Sequence, residues 1–321
     1  MKTSPIISAA ILAFSTFFGL AVNAHAQVKD YSFSSSPGTF TPLAAGDTIS
    51  PMDCALFTNY DIFFKDKPIG FSFNFNGTDY TTVGIHSNGF IWFGSGNPAL
   101  KAIAPLSTDG NLGGTGTVDG VVAVMGKDID PQFQAPCGGI LMATTGTGGD
   151  RICTIQYSNY RNAQSGTGAA RYTFQVALHE GTNLITFHYG PVSPSTKSVP
   201  AQVGLRGLTN ADFNSRFTKT DWDLSKSSAT VDSTLEVSDL VNPAPGETFT
   251  WIPNPTSLRG VADRNARVTF PGLDDPQSEI FDFTGRKWAA PGPGSASVRK
   301  GLPRGIYFVK TRAGLRTLVK E

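Results

Sequence analysis

Charge, cysteine and long apolar runs are all scarce in this chain of 321 residues, and each scarcity narrows what the protein is. Charged residues are 16% of it, 26 Lys and Arg against 25 Asp and Glu, so no overall excess of one sign marks it for nucleic acid. Its three cysteines, Cys54, Cys137 and Cys153, are too few for a disulfide-built scaffold. With no C-x-x-C pair they also make a poor zinc site. An oxidising compartment would allow one bridge. Cys137 and Cys153 are the nearer pair in sequence, which would leave Cys54 over, and the connectivity stays open. Helical periodicity is absent apart from a possible turn near residues 211–217. The glycine-rich stretch 110–116 lacks the Lys-Ser/Thr ending and the strand-to-helix setting of a phosphate loop.

One apolar run is present, at the N-terminus. Lys2 supplies a positive start, residues 6–22 are mostly apolar, and Ala24-His25-Ala26 puts small side chains where a signal peptidase cuts. The run is about 17 residues against the roughly 20 that a spanning helix needs, so a cleavable signal peptide over residues 1–26 is expected. The mature chain would start near Gln27, and it holds no second apolar stretch long enough to span a bilayer.

Beyond the signal, Gly, Pro, Ser, Thr and Phe dominate, a composition of strands and turns. Ile69-Gly70-Phe71-Ser72-Phe73-Asn74-Phe75 alternates apolar with small or polar residues, and Asn76-Gly77 follows it. A second segment, 80–87, closes on Asn88-Gly89 before Phe90-Ile91-Trp92-Phe93. Asn-Gly tolerates positive φ at both positions, which favours type I′ hairpins, so a three-stranded meander is expected here. Further strands are expected at 121–125, 140–143, 151–160, 172–179, 184–189, 201–205 and 248–251. Together they predict an all-β chain: a large β-sandwich, jelly-roll-like, over residues 27–251, with a barrel fitting nearly as well. Pro253-Asn254-Pro255 breaks the chain, and residues 252–321 read as a second, small immunoglobulin-like β-sandwich. Charge divides at the same place. Residues 27–251 carry 13 Lys and Arg against 19 Asp and Glu, and residues 252–321 carry 12 against 6. The basic residues of the tail are dispersed among strand-like segments without aromatic interleaving, which fits two independently solvated domains and no nucleic-acid partner.

Two resemblances rest on particular residues. Residues 31–43, the run 69–78, the Ser87-Asn88-Gly89-Phe90 turn and Phe249-Thr250-Trp251 resemble a β-sandwich module common in large exported proteins of type IX-secreting bacteria. Members of that module have no agreed activity, so the resemblance implies a surface or extracellular module and nothing sharper. The tail is similar to the type IX sorting domain. Asp282-x-x-Gly285-Arg286, Leu302-x-x-Gly305-x-Tyr307 and a terminal strand with Lys320 occur in that domain's order. The resemblance implies the type IX secretion machinery as a partner, and removal or exchange of the domain on export to the medium or the outer cell surface. Residues 255–267 and 289–297 depart from the pattern and leave its motif order intact.

Residues that carry chemistry are few. His25 belongs to the cleavage region, and His86, His179 and His188 all sit in strand-like segments. His179 and His188 would flank a hairpin turned at 181–183, without an H-x-H or H-E-x-x-H spacing to support a metal. Ser87 follows His86 but lacks a Gly-x-Ser-x-Gly elbow. Asp128 and Asp130 alternate along a strand end, which aims both carboxylates to one side. They could ligate calcium or work as a glycosidase pair, or simply be solvated. With Asp119 they are the acidic candidates. The aromatics Trp92, Trp222, Trp251, Tyr157, Tyr160 and Phe213 could stack on sugar rings, though most large aromatics are core. Trp222, between Asp221 and Asp223, is the one expected outside. A non-catalytic adhesion module binding glycan or matrix protein is therefore expected ahead of a polysaccharide hydrolase acting through Asp128 and Asp130, or a ligand-free structural module.

Overall fold

A computed structural model describes residues 27–50, 61–132, 135–163, 170–193, 198–238 and 240–253, and the C-terminal strand segments 279–282, 287–288, 305–311 and 314–320. Regular secondary structure among the described residues is almost all strand. A single 3-10 turn, Val28–Asp30, is followed by β1 (Ser32–Ser36) and β2 (Asp47–Ser50). The expected meander is β3 (Phe63–Phe75), β4 (Thr78–His86) and β5 (Phe90–Phe93). Then come β6 (Gly120–Gly126), β7 (Ile129–Pro131), β8 (Gly139–Thr145), β9 (Ile152–Asn162), β10 (Arg171–His179), β11 (Ile185–Tyr189) and β12 (Gln202–Arg206). The series continues with β13 (Phe213–Phe217), β14 (Lys226–Ser227) and β15 (Thr248–Ile252). The C-terminal strands are β16 (Glu279–Asp282), β17 (Lys287–Trp288), β18 (Gly305–Thr311) and β19 (Gly314–Lys320).

Two antiparallel sheets make a β-sandwich. One has eight strands in the order β1-β15-β11-β10-β9-β8-β2, with β7 beside β9, and the other seven in the order β14-β13-β12-β6-β5-β4-β3. Alternate residues of each sheet meet in one core. Phe71, Phe73, Phe75, Ile85 and Phe93 from one side join Tyr157, Phe174, Phe187, Phe249 and Trp251 from the other. Two tyrosines tie the sheets across this apolar layer. Tyr157 donates to the carbonyls of His86 (2.9 Å) and Phe90 (3.0 Å), and Tyr189 to that of Val124 (3.0 Å). A buried phenol needs such an acceptor, so these bonds also fix how the layers stack.

Strand β6 is buried on both faces, which explains its unbroken apolar run. Val122 and Val124 enter the main core, while Val121 and Ala123 join Phe90, Trp92, Leu106, Leu112 and Val118 in a second cluster on the other face of the sheet. The segment between β5 and β6 covers that face.

Local chemistry accounts for the turns. Asn76 and Gly77 both adopt positive φ (54° and 83°), as a type I′ turn requires. The second turn differs from expectation, because of residues 87–89 only Gly89 has positive φ (75°). Asn88 serves instead as a hydrogen-bond node, accepting from the Ile129 amide (3.2 Å) and donating to Asp61 (3.0 Å). Residues 213–217, expected at most as a helical turn, form β13, paired to β12 and β14. A five-residue segment with three polar residues between two phenylalanines is too short for periodicity to separate strand from helical turn, and the pairing partners decide the matter.

The C-terminal strands form a four-stranded antiparallel sheet in the order β17-β16-β18-β19. Asp282 lies opposite Tyr307, and Gly305 opposite Lys320. Gly285, Arg286 and Leu302 lie outside the described residues.

Candidate functional site

A groove of about 430 Å³ opens where Gln27, just ahead of the 3-10 turn, meets the β3–β4 turn and the segment before β13. Gln27, Asn76, Thr78 and Tyr80 line it, together with Asp119, Leu208, Thr209 and Asp212. Asp212 is the anchor. Its carboxylate accepts from the Lys29 amide (3.0 Å) and from Asn76 Nδ2 (3.0 Å), while burial pushes its pKa up against those two bonds. Gly207 makes this approach possible, since a Cβ there would stand 2.1 Å from the Asp212 carboxylate. Asn76 Oδ1 is buried without a partner among the described residues, an acceptor left over beside the groove.

Asp119 follows β5 in space, its amide bonded to the Phe93 carbonyl (2.9 Å). Its carboxylate accepts from the Tyr80 hydroxyl (3.1 Å). Burial, with the Asp119 charge added, drives that phenol far above its ordinary range, so Tyr80 acts as a donor and never as a base. Leu208 is 53% exposed and forms the lip between this groove and a second depression of about 390 Å³ lined by Asp109, Gly110, Asn111, Gly116 and Thr117. The glycine-rich stretch 110–116 is thus part of a wall. Beneath it, the fully buried Arg206 holds the carbonyls of Thr108 and Asp109 (both 3.3 Å) and Asn210 Oδ1 (3.1 Å).

Asp128 and Asp130 lie at the other end of β6 from Asp119, on the order of 20 Å away at the rise of an extended strand. Asp130 sits on β7 opposite Arg161 of β9 and forms an ion pair with it at 3.8 Å. Burial raises its pKa to about 6, with Arg161 opposing and Asp128 and Asp61 adding to the rise. Burial and Asp61 also raise Asp128. Among the described residues, no group of three or more His, Cys, Asp or Glu is arranged to hold a metal.

Trp222 is 1% exposed, against the expectation that it stands outside. Its Nε1 donates to the Glu236 carbonyl (2.9 Å) and its ring packs on Tyr189 and Phe249. Its flanking aspartates are the exposed edges of a loop whose centre tucks inward, so polarity of neighbours misreports the residue between them. Trp92, Trp251, Tyr157 and Tyr160 are likewise core, and Phe213 is half-buried. The aromatic that does reach the groove is Tyr80.

The three described histidines are structural in their contacts. His86 Nδ1 accepts from the Asn88 amide (3.1 Å), which leaves Nε2 to donate to the Ala99 carbonyl (3.1 Å). That is a neutral imidazole, and burial lowers its pKa to about 4. His179 and His188 are joined through the Thr186 hydroxyl (2.9 and 3.1 Å), and His188 also meets Thr248 (3.1 Å). Burial, with His188 adding, pushes His179 down to about 4. The cysteines reverse the nearer-pair order. Cys137 is disulfide-bonded and Cys153 is free and buried, its thiol raised to about 11 by burial. Cys54 lies outside the described residues.

The model of the family described as NIDO related matches residues 30–253. The chain belongs to the NIDO-related family. No curated protein and no solved structure matches it. The NIDO-related domain contains both sheets of the sandwich and seven of the eight groove residues, Gln27 alone preceding it. It is an extracellular-type module, in keeping with the exported sandwich expected over residues 31–251. No described helix is long and apolar enough to cross a membrane. Of the groove residues only Asp119 was singled out by sequence. Asn76 was visible as a turn residue, whereas Tyr80 and Asp212 carried no signal of their own.

Proposed function

We propose that this is an exported surface or secreted protein whose NIDO-related domain binds glycan without catalysis, and whose residues 252–321 route it through the type IX machinery. The groove carries the first part. It offers a carboxylate pair, the Asn76 amide and the hydroxyls of Thr78, Thr209 and Tyr80 beside the exposed Leu208, a mixture of acceptors and donors over an apolar lip that suits sugar hydroxyls and ring faces. Motif order, and a tail sheet that pairs Asp282 with Tyr307, support the second part.

A glycan array probed with the mature chain tests binding. Retained glycans should be lost with Asp119→Asn, and weakened about fivefold with Tyr80→Phe, which removes one hydrogen bond of about 1 kcal/mol. An empty array, or binding indifferent to both changes, sinks the reading. A second reading rests on Asp130, whose carboxyl is raised to about 6 beside Asp128 as a general acid would be. Polysaccharide cleavage abolished by Asp128→Asn or Asp130→Asn would put the hydrolase first. Calcium bound there would show as a metal-dependent rise in melting temperature lost in the same variants.

A further inference from the structure

We propose that Gln27 is a modification site: once the chain is cut after Ala26, the new α-amine closes on its own side-chain amide, and the resulting pyroglutamate forms a neutral wall of the groove. This rests on the proposed signal cleavage and deepens the groove reading. The α-nitrogen bonds to Cδ, the Cδ–Nε2 bond breaks, and Nε2 leaves as ammonia with a proton taken from the α-amine. No oxidant or co-reactant is needed. The ring is five-membered and the attack intramolecular, which gives the reaction a high effective concentration.

The fold pins this terminus to the groove. Val28 is fully buried, the Lys29 amide donates to Asp212, and the Asp30 amide donates to the Gln27 carbonyl (2.9 Å). Asn214 Nδ2 donates to the carbonyls of Val28 (3.1 Å) and Tyr31 (2.7 Å). These bonds hold Gln27 in the wall of the groove that Asp119 and Asp212 also line. A free ammonium there would engage the carboxylates that a ligand needs. The lactam removes that charge and keeps one N–H donor and one carbonyl acceptor at the wall.

Peptide mapping by mass spectrometry of the exported chain tests this. The N-terminal peptide should begin at residue 27, lighter by one ammonia and blocked to Edman degradation. The same peptide of Gln27→Asn, which cannot close the five-membered lactam, should carry its full mass and a free amine. That variant should bind the wild type's best array glycan about fivefold more weakly. A free amine on Gln27 in the exported protein overturns the proposal, as does a chain beginning at another residue, which also removes the cleavage reading. Equal affinity of Gln27→Asn overturns the role in the groove. An empty array with the lactam present fails the glycan reading alone and upholds the modification.

Discussion

Lys127 is the most exacting single residue in the sandwich. The residue is 3% exposed, and its ammonium lies 4.4 Å over the Tyr172 ring, hydrogen-bonded to Tyr172 Oη (3.3 Å) and the Val199 carbonyl (3.0 Å). Among the described residues no carboxylate pairs with it directly, and burial lowers its pKa from 10.5 to about 7, with Glu236 at longer range opposing. The unfolded chain therefore binds more protons than the folded chain between about pH 7 and 10.5. Stability from this group rises with pH through that window and levels off below it. Lys127→Met should flatten the slope, so that the variant gains on the wild type as pH falls from 10 towards 7. Urea unfolding at several pH values reads this directly, and parallel curves would refute it. Trp222 poses the opposite lesson at the same scale. Asp-Trp-Asp looks like surface, yet the ring is core, so Trp222→Ala should cost about 3–5 kcal/mol of unfolding free energy rather than the near-zero cost of a surface aromatic.

Strands were legible where alternation or an unbroken apolar run left one choice, as in β3 to β6 and β8 to β12. They were not legible where pairing decides, as in β13, or where a residue's side chain does the turn's work, as at Asn88. The packing of β4 on β5 shows what periodicity leaves out. Gly84 of β4 lies directly opposite Trp92 of β5, and a Cβ at Gly84 would stand 2.2 Å from the indole. The ring occupies the space that glycine vacates, and its Nε1 donates to the Gly96 carbonyl (3.0 Å), pinning the covering segment to the sheet. Gly84→Ala should therefore displace Trp92 and destabilise the domain by about 1–3 kcal/mol, with a shift in tryptophan fluorescence. An unchanged melting temperature and spectrum would show that the indole has room to move.

At the scale of the whole chain, the groove draws on residues near 27, 76, 119 and 208–212, which no local pattern links and only the closed sandwich assembles. Its acid, its amide and its tyrosine each read as ordinary alone. The two-part organisation is an expectation of a different kind, because the change from acidic to basic composition and the Pro253-Asn254-Pro255 break need no tertiary contacts to be seen. That organisation makes the routing of the protein testable apart from its ligand. Strand β15 ends at Ile252, opposite Ser32 of β1, so a chain truncated after Pro253 keeps every strand pair of both sandwich sheets. If residues 252–321 hold the address, this truncated chain should lose its signal peptide, fold, and accumulate in the periplasm while the full chain reaches the medium or outer surface. Fractionation of a type IX-secreting host separates the two outcomes, and protease resistance of the periplasmic pool distinguishes a misrouted folded domain from a misfolded one. Normal appearance of the truncated chain outside the cell would reject the sorting role and leave the tail sheet as an accessory domain.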